Sequence, residues 1–119
     1  MQKAKRYDLE ERTLTFAKAV RTFVKVLPRS VSNQEDAKQV VRSSGSVGAN
    51  YIEANEALSK KDFLMRIKIC RKEAKESRYW LRLIDVGDDE KLEKDREGLG
   101  REASELMNIF GSIIRKAEE

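Results

Sequence analysis

The chain has 119 residues, 39% of them charged, and a net charge of +4. That is one domain's length, enough for a single core, and no apolar run approaches the ~20 residues of a membrane span. Histidine is absent and Cys70 is the single cysteine. This excludes Ser-His-Asp and Cys-His nucleophiles, the Glu-x-x-His pairs of di-iron bundles and an internal disulfide, and leaves little for a zinc site. A non-enzymatic protein with no metal and no cofactor is expected, and its lone cysteine suits a reducing cytoplasm. The opening "MQKAKRYDLEER" lacks the apolar core of a signal peptide, which also fits a cytoplasmic, non-membrane protein.

One domain, 1–119, is expected, with a short basic tail at 1–7. The first helix carries Leu9, Phe16, Val20, Phe23, Val24 and Leu27 on one stripe, and Pro28 ends it because proline cannot continue the hydrogen-bond ladder. Ser32 and Glu35 have the spacing of a capping box for the second helix. Along it Ala37, Val41, Ser44, Gly48, Tyr51, Asn55 and Leu58 recur at four- and three-residue steps. The intervening stretch "VRSSGSVGAN" is rich in small residues, and glycine costs about 1 kcal/mol relative to alanine inside a helix. A phosphate-binding loop would need a preceding strand and a lysine after the last glycine, and the sequence has neither. The stretch therefore reads as helix, with Gly45, Gly48 and Ala49 as a surface where another helix comes close; the alternative is simply a weak, kinked stretch of helix.

Ser59 and Asp62 mark the start of a third helix at Lys60. Phe63, Ile67, Cys70, Ala74, Ser77, Leu81 and Ile84 form an unbroken 4-3-4-3-4-3 seam along it, the rhythm of a bundle. Gly87 is the expected C-cap, and Asp88, Asp89 and Glu90 suit the positive end of a fourth helix. That helix carries Leu92, Leu99, Ala103, Leu106, Phe110, Ile113 and Ala117. Short connections throughout predict an all-α, antiparallel up-down-up-down four-helix bundle.

Charge divides unevenly. Residues 1–58 carry +3, residues 59–84 carry +6 and residues 85–119 carry −5. Lys68, Arg71, Lys75, Arg78 and Arg82 each follow a seam residue by one position, so they form a basic stripe about 100° around the helix from the core. The stripe is a candidate nucleic-acid surface. The alternative is a solvated face, or pairing with acids such as Glu102 and Glu105 on the fourth helix. Tyr79 and Trp80 stand beside arginines where aromatics can stack on bases, although a tryptophan one step off the seam also suits a core edge or subunit contact. Glu53 and Glu56, one turn apart, read as salt-bridge or packing residues rather than an acid-base pair. Met65, Ile69, Trp80 and Leu83 are more apolar surface than one seam uses, which points to burial between subunits.

"VRSSGSVGANYIEANEALSKKDF" and "RKEAKESRYWLRLI" resemble the four-helix bundle protein family, the 23S rRNA intervening-sequence proteins. The resemblance runs from about Arg12 to Ala117 and is most specific over Arg42–Glu56 and Lys72–Leu83. It implies an antiparallel bundle that assembles into a ring, commonly a pentamer, and carries over no active site. The "YWLR" segment at Tyr79–Arg82 is also similar to the accessory proteins of diversity-generating retroelements, whose basic surfaces contact nucleic acid and a reverse transcriptase. Two functional expectations follow: a homo-oligomeric module that binds RNA or DNA, or a scaffold ring that holds a protein partner.

Overall fold

Four helices follow one another in the computed structural model: α1 (Gln2–Lys25), α2 (Val31–Asn55), α3 (Lys60–Leu83) and α4 (Glu90–Glu118). The structure describes residues 2–119, with side chains from Leu9 onward, so the side chains of the basic 1–7 stretch lie outside the described residues. Each helix packs on the next in the chain, and α4 closes back on α1. Residue pairings run in opposite directions across the seams. Asn50 meets Arg66 and Ser43 meets Ser77 between α2 and α3, while Arg78 meets Ser104 and Lys68 meets Glu118 between α3 and α4. The result is the expected four-helix bundle.

The helix ends show where local chemistry acts. Ser59 caps α3, its hydroxyl accepting from the Asp62 N–H at 3.0 Å, as the sequence predicts. Asp89 caps α4 by accepting from Leu92 N–H at 3.1 Å. Each such cap contributes about 1 kcal/mol. The second helix begins earlier than expected: Ser30, in extended geometry, is its N-cap and accepts from Asn33 N–H at 3.1 Å. Ser32 therefore lies inside the first turn, and the Ser32–Glu35 box is not the cap. Gly87 does not cap α3 either. Ile84 and Val86 are buried, so the chain leaves the helix in extended form at Ile84, and Gly87 takes its positive φ of 68° in the following loop.

The small-residue stretch of α2 is continuous helix. Its buried line is Asn33, Val40, Ser43, Ser44, Val47, Tyr51 and Ala54, rotated from the predicted one, and Leu58 is almost wholly exposed at 97%. The rotation has a physical reason. Val40 and Val47 offer more apolar area than Ala37 and Gly48, and burial scales with that area. The α3 seam is buried from Ile67 to Ile84 as predicted. Phe16, Val20, Val40, Val47, Ile67, Leu81, Leu106 and Phe110 fill the centre with essentially no exposure, each contributing about 1.5–3 kcal/mol of apolar transfer.

Asn33 joins the two loops at one end of the bundle. It donates to the carbonyls of Pro28 and Asp85 at 2.9 and 2.8 Å, and accepts from the Asp85 N–H at 3.0 Å. Both amide hydrogens and the oxygen are used, so a buried polar side chain is fully satisfied.

Candidate nucleic-acid interface

The α3 stripe lies on the flank that faces α4, one position past a seam that is itself buried. Lys68, Arg71, Lys75 and Arg82 are exposed and Arg78 is half-buried. Lys68 pairs with Glu118 at 3.1 Å and Arg78 donates to the Ser104 hydroxyl at 3.2 Å. Among the described residues no carboxylate lies within ion-pair distance of Arg71, Lys75, Arg78 or Arg82. The pairing of this stripe with Glu102 and Glu105 is not what the structure shows. Both acids belong to Arg12 of α1: Nε and Nη2 reach the two oxygens of Glu102 at 2.7 and 2.9 Å, and Nη2 reaches Glu105 at 2.6 Å. These hydrogen bonds, that to Glu102 foremost, hold the Arg12 pKa well above the ordinary guanidinium value. By engaging these two acids from the other side, Arg12 leaves Arg71, Lys75, Arg78 and Arg82 clear of them.

Between α3 and α4 runs a groove of about 560 Å³. Arg78 and Arg82 form one wall and Arg96, Gly100, Arg101 and Ser104 the other, with Glu93 and Glu97 at one end. Arg96 is committed there, donating to the Ile84 carbonyl and to Glu93. Sequence reasoning missed Arg101 because the net acidity of the last helix conceals it.

The opposite flank of α3 faces α2. Glu73 is buried, with Arg42 and Lys72 at 4.0 and 3.8 Å, and Arg42 also reaches Glu76 at 3.7 Å. Trp80 is half-buried on this flank, its ring edge-on to Tyr79 at 5.2 Å between centroids. Its indole N–H is buried with no hydrogen-bond partner among the described residues, and its ring packs against the core as a partly buried side chain. Tyr79 is exposed. Met65 and Leu83 are each 49% exposed, and Met65, Leu64 and Ile69 line a shallow apolar groove rimmed by Lys61, Lys68 and Lys72.

Gly48 packs against α1 of the same chain. A β-carbon there would stand 2.9 Å from Thr13 Oγ1 and 3.3 Å from its Cβ, so the helices approach at a contact that only glycine permits. At Gly45 the nearest atom is the flexible end of Arg21, at 3.3 Å, and Ala49 is exposed. Glu53 and Glu56 are both exposed, and no group of three or more Cys, Asp and Glu side chains that could hold a metal occurs among the described residues. Cys70 is buried, its thiol donating to the Val47 carbonyl at 3.4 Å and pushed up to about 12 by that burial, which makes it inert. No helix among the described residues is long and apolar enough to cross a membrane.

The profile of the 23S rRNA-intervening sequence protein matches residues 5–110. The chain belongs to that family. The match covers both specific segments of the resemblance, the small-residue helix and "RKEAKESRYWLRLI". Among solved structures, the chain is similar to a protein of unknown function from the S23 ribosomal protein family of Bacteroides thetaiotaomicron. The two are 32% identical with a TM-score of 0.76, over 93% of this chain and 98% of the other. No curated protein matches the chain.

Proposed function

We propose that this member of the 23S rRNA-intervening sequence protein family is a non-enzymatic, cytoplasmic homo-oligomer that binds nucleic acid, RNA in particular, through the α3 stripe. The observation that carries the reading is the charge partition. Among the described residues Arg71, Lys75 and Arg82 stand exposed without carboxylate partners, while Arg12 holds Glu102 and Glu105 and Arg96 holds Glu93, leaving Glu97 as the groove acid with no ion pair. Free cations on a rigid helix gain by releasing counterions from a phosphate backbone. The resemblance to retroelement accessory proteins supports the same reading. The resemblance to ring-forming bundles favours five subunits, and repetition of the stripe around a ring adds avidity. The absence of histidine supports a binding role over catalysis.

A second reading, a scaffold ring for a protein partner, is favoured by the exposed apolar side chains Met65, Tyr79 and Leu83. One titration separates the two: a structured RNA at low and moderate salt, with wild type and with Arg71, Arg78 and Arg82 all replaced by glutamine. Each lost phosphate contact should lower the slope of log affinity against log salt by about 0.7–0.9, with helicity unchanged because the seam is untouched. Equal affinities, or no binding at low salt, favour the scaffold. Light scattering on the same samples sets the subunit number, and a 13.7 kDa particle would remove the assembly from the proposal.

A further inference from the structure

The stripe arginines lie along α4 in register. Arg78 reaches Ser104; Arg71, seven residues earlier, lies over Gly111, seven residues later; Arg82 shares the groove with Gly100. At Gly111 a second guanidinium arrives from α4 itself. The point that a β-carbon would occupy on Gly111 lies 3.5 Å from Arg115 Nη1 and 3.8 Å from Arg71 Nε. Gly111 is buried, while both arginines are exposed. Neither has a carboxylate within ion-pair distance among the described residues; Glu118, the acid nearest Arg115 in sequence, is engaged by Lys68 at 3.1 Å, and Glu73, nearest Arg71, by Lys72 and Arg42 at 3.8 and 4.0 Å. Through water the repulsion between two such exposed cations is weak, and an anion placed between them turns it into attraction. Paired guanidinium forks are suited to the oxygens of a phosphate.

We propose that Arg71 and Arg115 together hold one phosphate of a polynucleotide strand above Gly111, so that the footprint crosses from α3 onto α4. This rests on the nucleic-acid reading above and adds a residue and a geometry to it. Gly111 serves by having no side chain to stand between the two cations, and Arg115 belongs to the site although its helix is acidic overall.

The test is fluorescence anisotropy of a labelled single-stranded oligoribonucleotide across a salt series, with circular dichroism to confirm the fold. Arg115→Gln should weaken binding several-fold and lower the salt slope by about 0.7. Lys116→Gln, which removes the same charge one residue away, should change either quantity much less. The double variant Arg71→Gln with Arg115→Gln should lose less than the two single losses combined, because both side chains serve one phosphate. Wild-type behaviour in Arg115→Gln, while Arg78→Gln and Arg82→Gln are impaired, overturns the clamp and leaves the nucleic-acid reading standing. Equal losses in Arg115→Gln and Lys116→Gln overturn it too, by showing diffuse attraction. A wild type that does not bind the oligonucleotide at low salt overturns both readings. Stabilisation by inorganic phosphate at constant ionic strength, with no oligonucleotide binding, overturns the polynucleotide assignment.

Discussion

The seam between α2 and α3 and the seam between α1 and α4 solve the same packing problem in opposite ways. Across the first, Ser43, Ser44, Cys70, Ala74 and Ser77 are all buried, and the helices come close enough for the Ser43 and Ser77 hydroxyls to meet at 2.8 Å. Each hydroxyl also has a main-chain acceptor on its own helix, the Glu73 carbonyl at 2.9 Å for Ser77 and the Val40 carbonyl at 3.4 Å for Ser43. Across the second, the long Arg12 side chain reaches Glu102 and Glu105 on α4. Small residues give proximity without tolerance, since any added atom must displace a backbone. A charge clasp gives reach and tolerance, but water and salt weaken it. The flank proposed to bind nucleic acid borders the tight pair: α3, which carries the cations, is fixed on α2, while Arg12 of α1 engages Glu102 and Glu105 of α4.

The largest effect should come from filling the tight seam. Ser77→Leu places a branched side chain where the two hydroxyls meet, an overpacking cost of roughly 1–3 kcal/mol. It also removes the cross-seam partner of the buried Ser43 hydroxyl, which keeps only its longer contact to the Val40 carbonyl at 3.4 Å, a further ~1 kcal/mol. Urea unfolding should show a clear drop in midpoint, whereas Ser77→Ala should lose only the hydrogen bond. A Ser77→Leu protein unfolding at the parental midpoint would mean that the seam is not close-packed.

How much of this contrast the sequence reveals depends on the side chains involved. The α3 seam is legible because Ile67, Leu81 and Ile84 stand out from the charges around them at bundle spacing. The α2 line is not, because Gly, Ser and Ala carry little apolar area and adjacent valines at 40 and 41 fit two rotations of the helix equally well. The role of Asn33 is hidden because its partner Asp85 lies 52 residues away and is met through main-chain atoms. Thr13 was invisible for a related reason: a buried threonine whose hydroxyl donates to the Leu9 carbonyl at 2.8 Å looks like a surface residue in sequence. The basic stripe was legible. Its freedom from Glu102 and Glu105 was not, because that depends on Arg12, some ninety positions away in the chain.

Gly48 tests an intermediate seam, that between α1 and α2. Helix propensity alone would make alanine there stabilising by up to about 1 kcal/mol. The 2.9 Å approach to Thr13 Oγ1 says otherwise, because a buried β-branched side chain cannot swing away. Gly48→Leu should lose roughly 1–3 kcal/mol. Gly48→Ala should also be destabilised, by less, since helix propensity returns up to about 1 kcal/mol. Thr13→Ala should relieve much of the alanine penalty, a coupling that a double-mutant cycle in thermal unfolding measures directly. Additive losses would show that the contact is not what excludes the side chain.

The smallest effect should come from opening the clasp. Arg12→Gln removes a bidentate, charge-assisted contact whose partners keep part of their hydration, Arg12 and Glu102 being 27% and 28% exposed. The expected loss is about 1 kcal/mol and should shrink with added salt. Its location matters more than its size. Hydrogen exchange should rise around Thr13 and Phe16 in α1, while the amides of Val47 and Cys70, in the tight pair, keep their protection. Freed from Arg12, Glu105 borders the α3–α4 groove beside Arg78 and Arg101, so the same variant should bind RNA more weakly although it removes no residue of the stripe. If α1 and α3 lose protection together, the bundle opens as one unit and the two seams are not independent. If RNA affinity is unchanged, the acids were never competitors for those cations, and the charge partition loses its role in recognition.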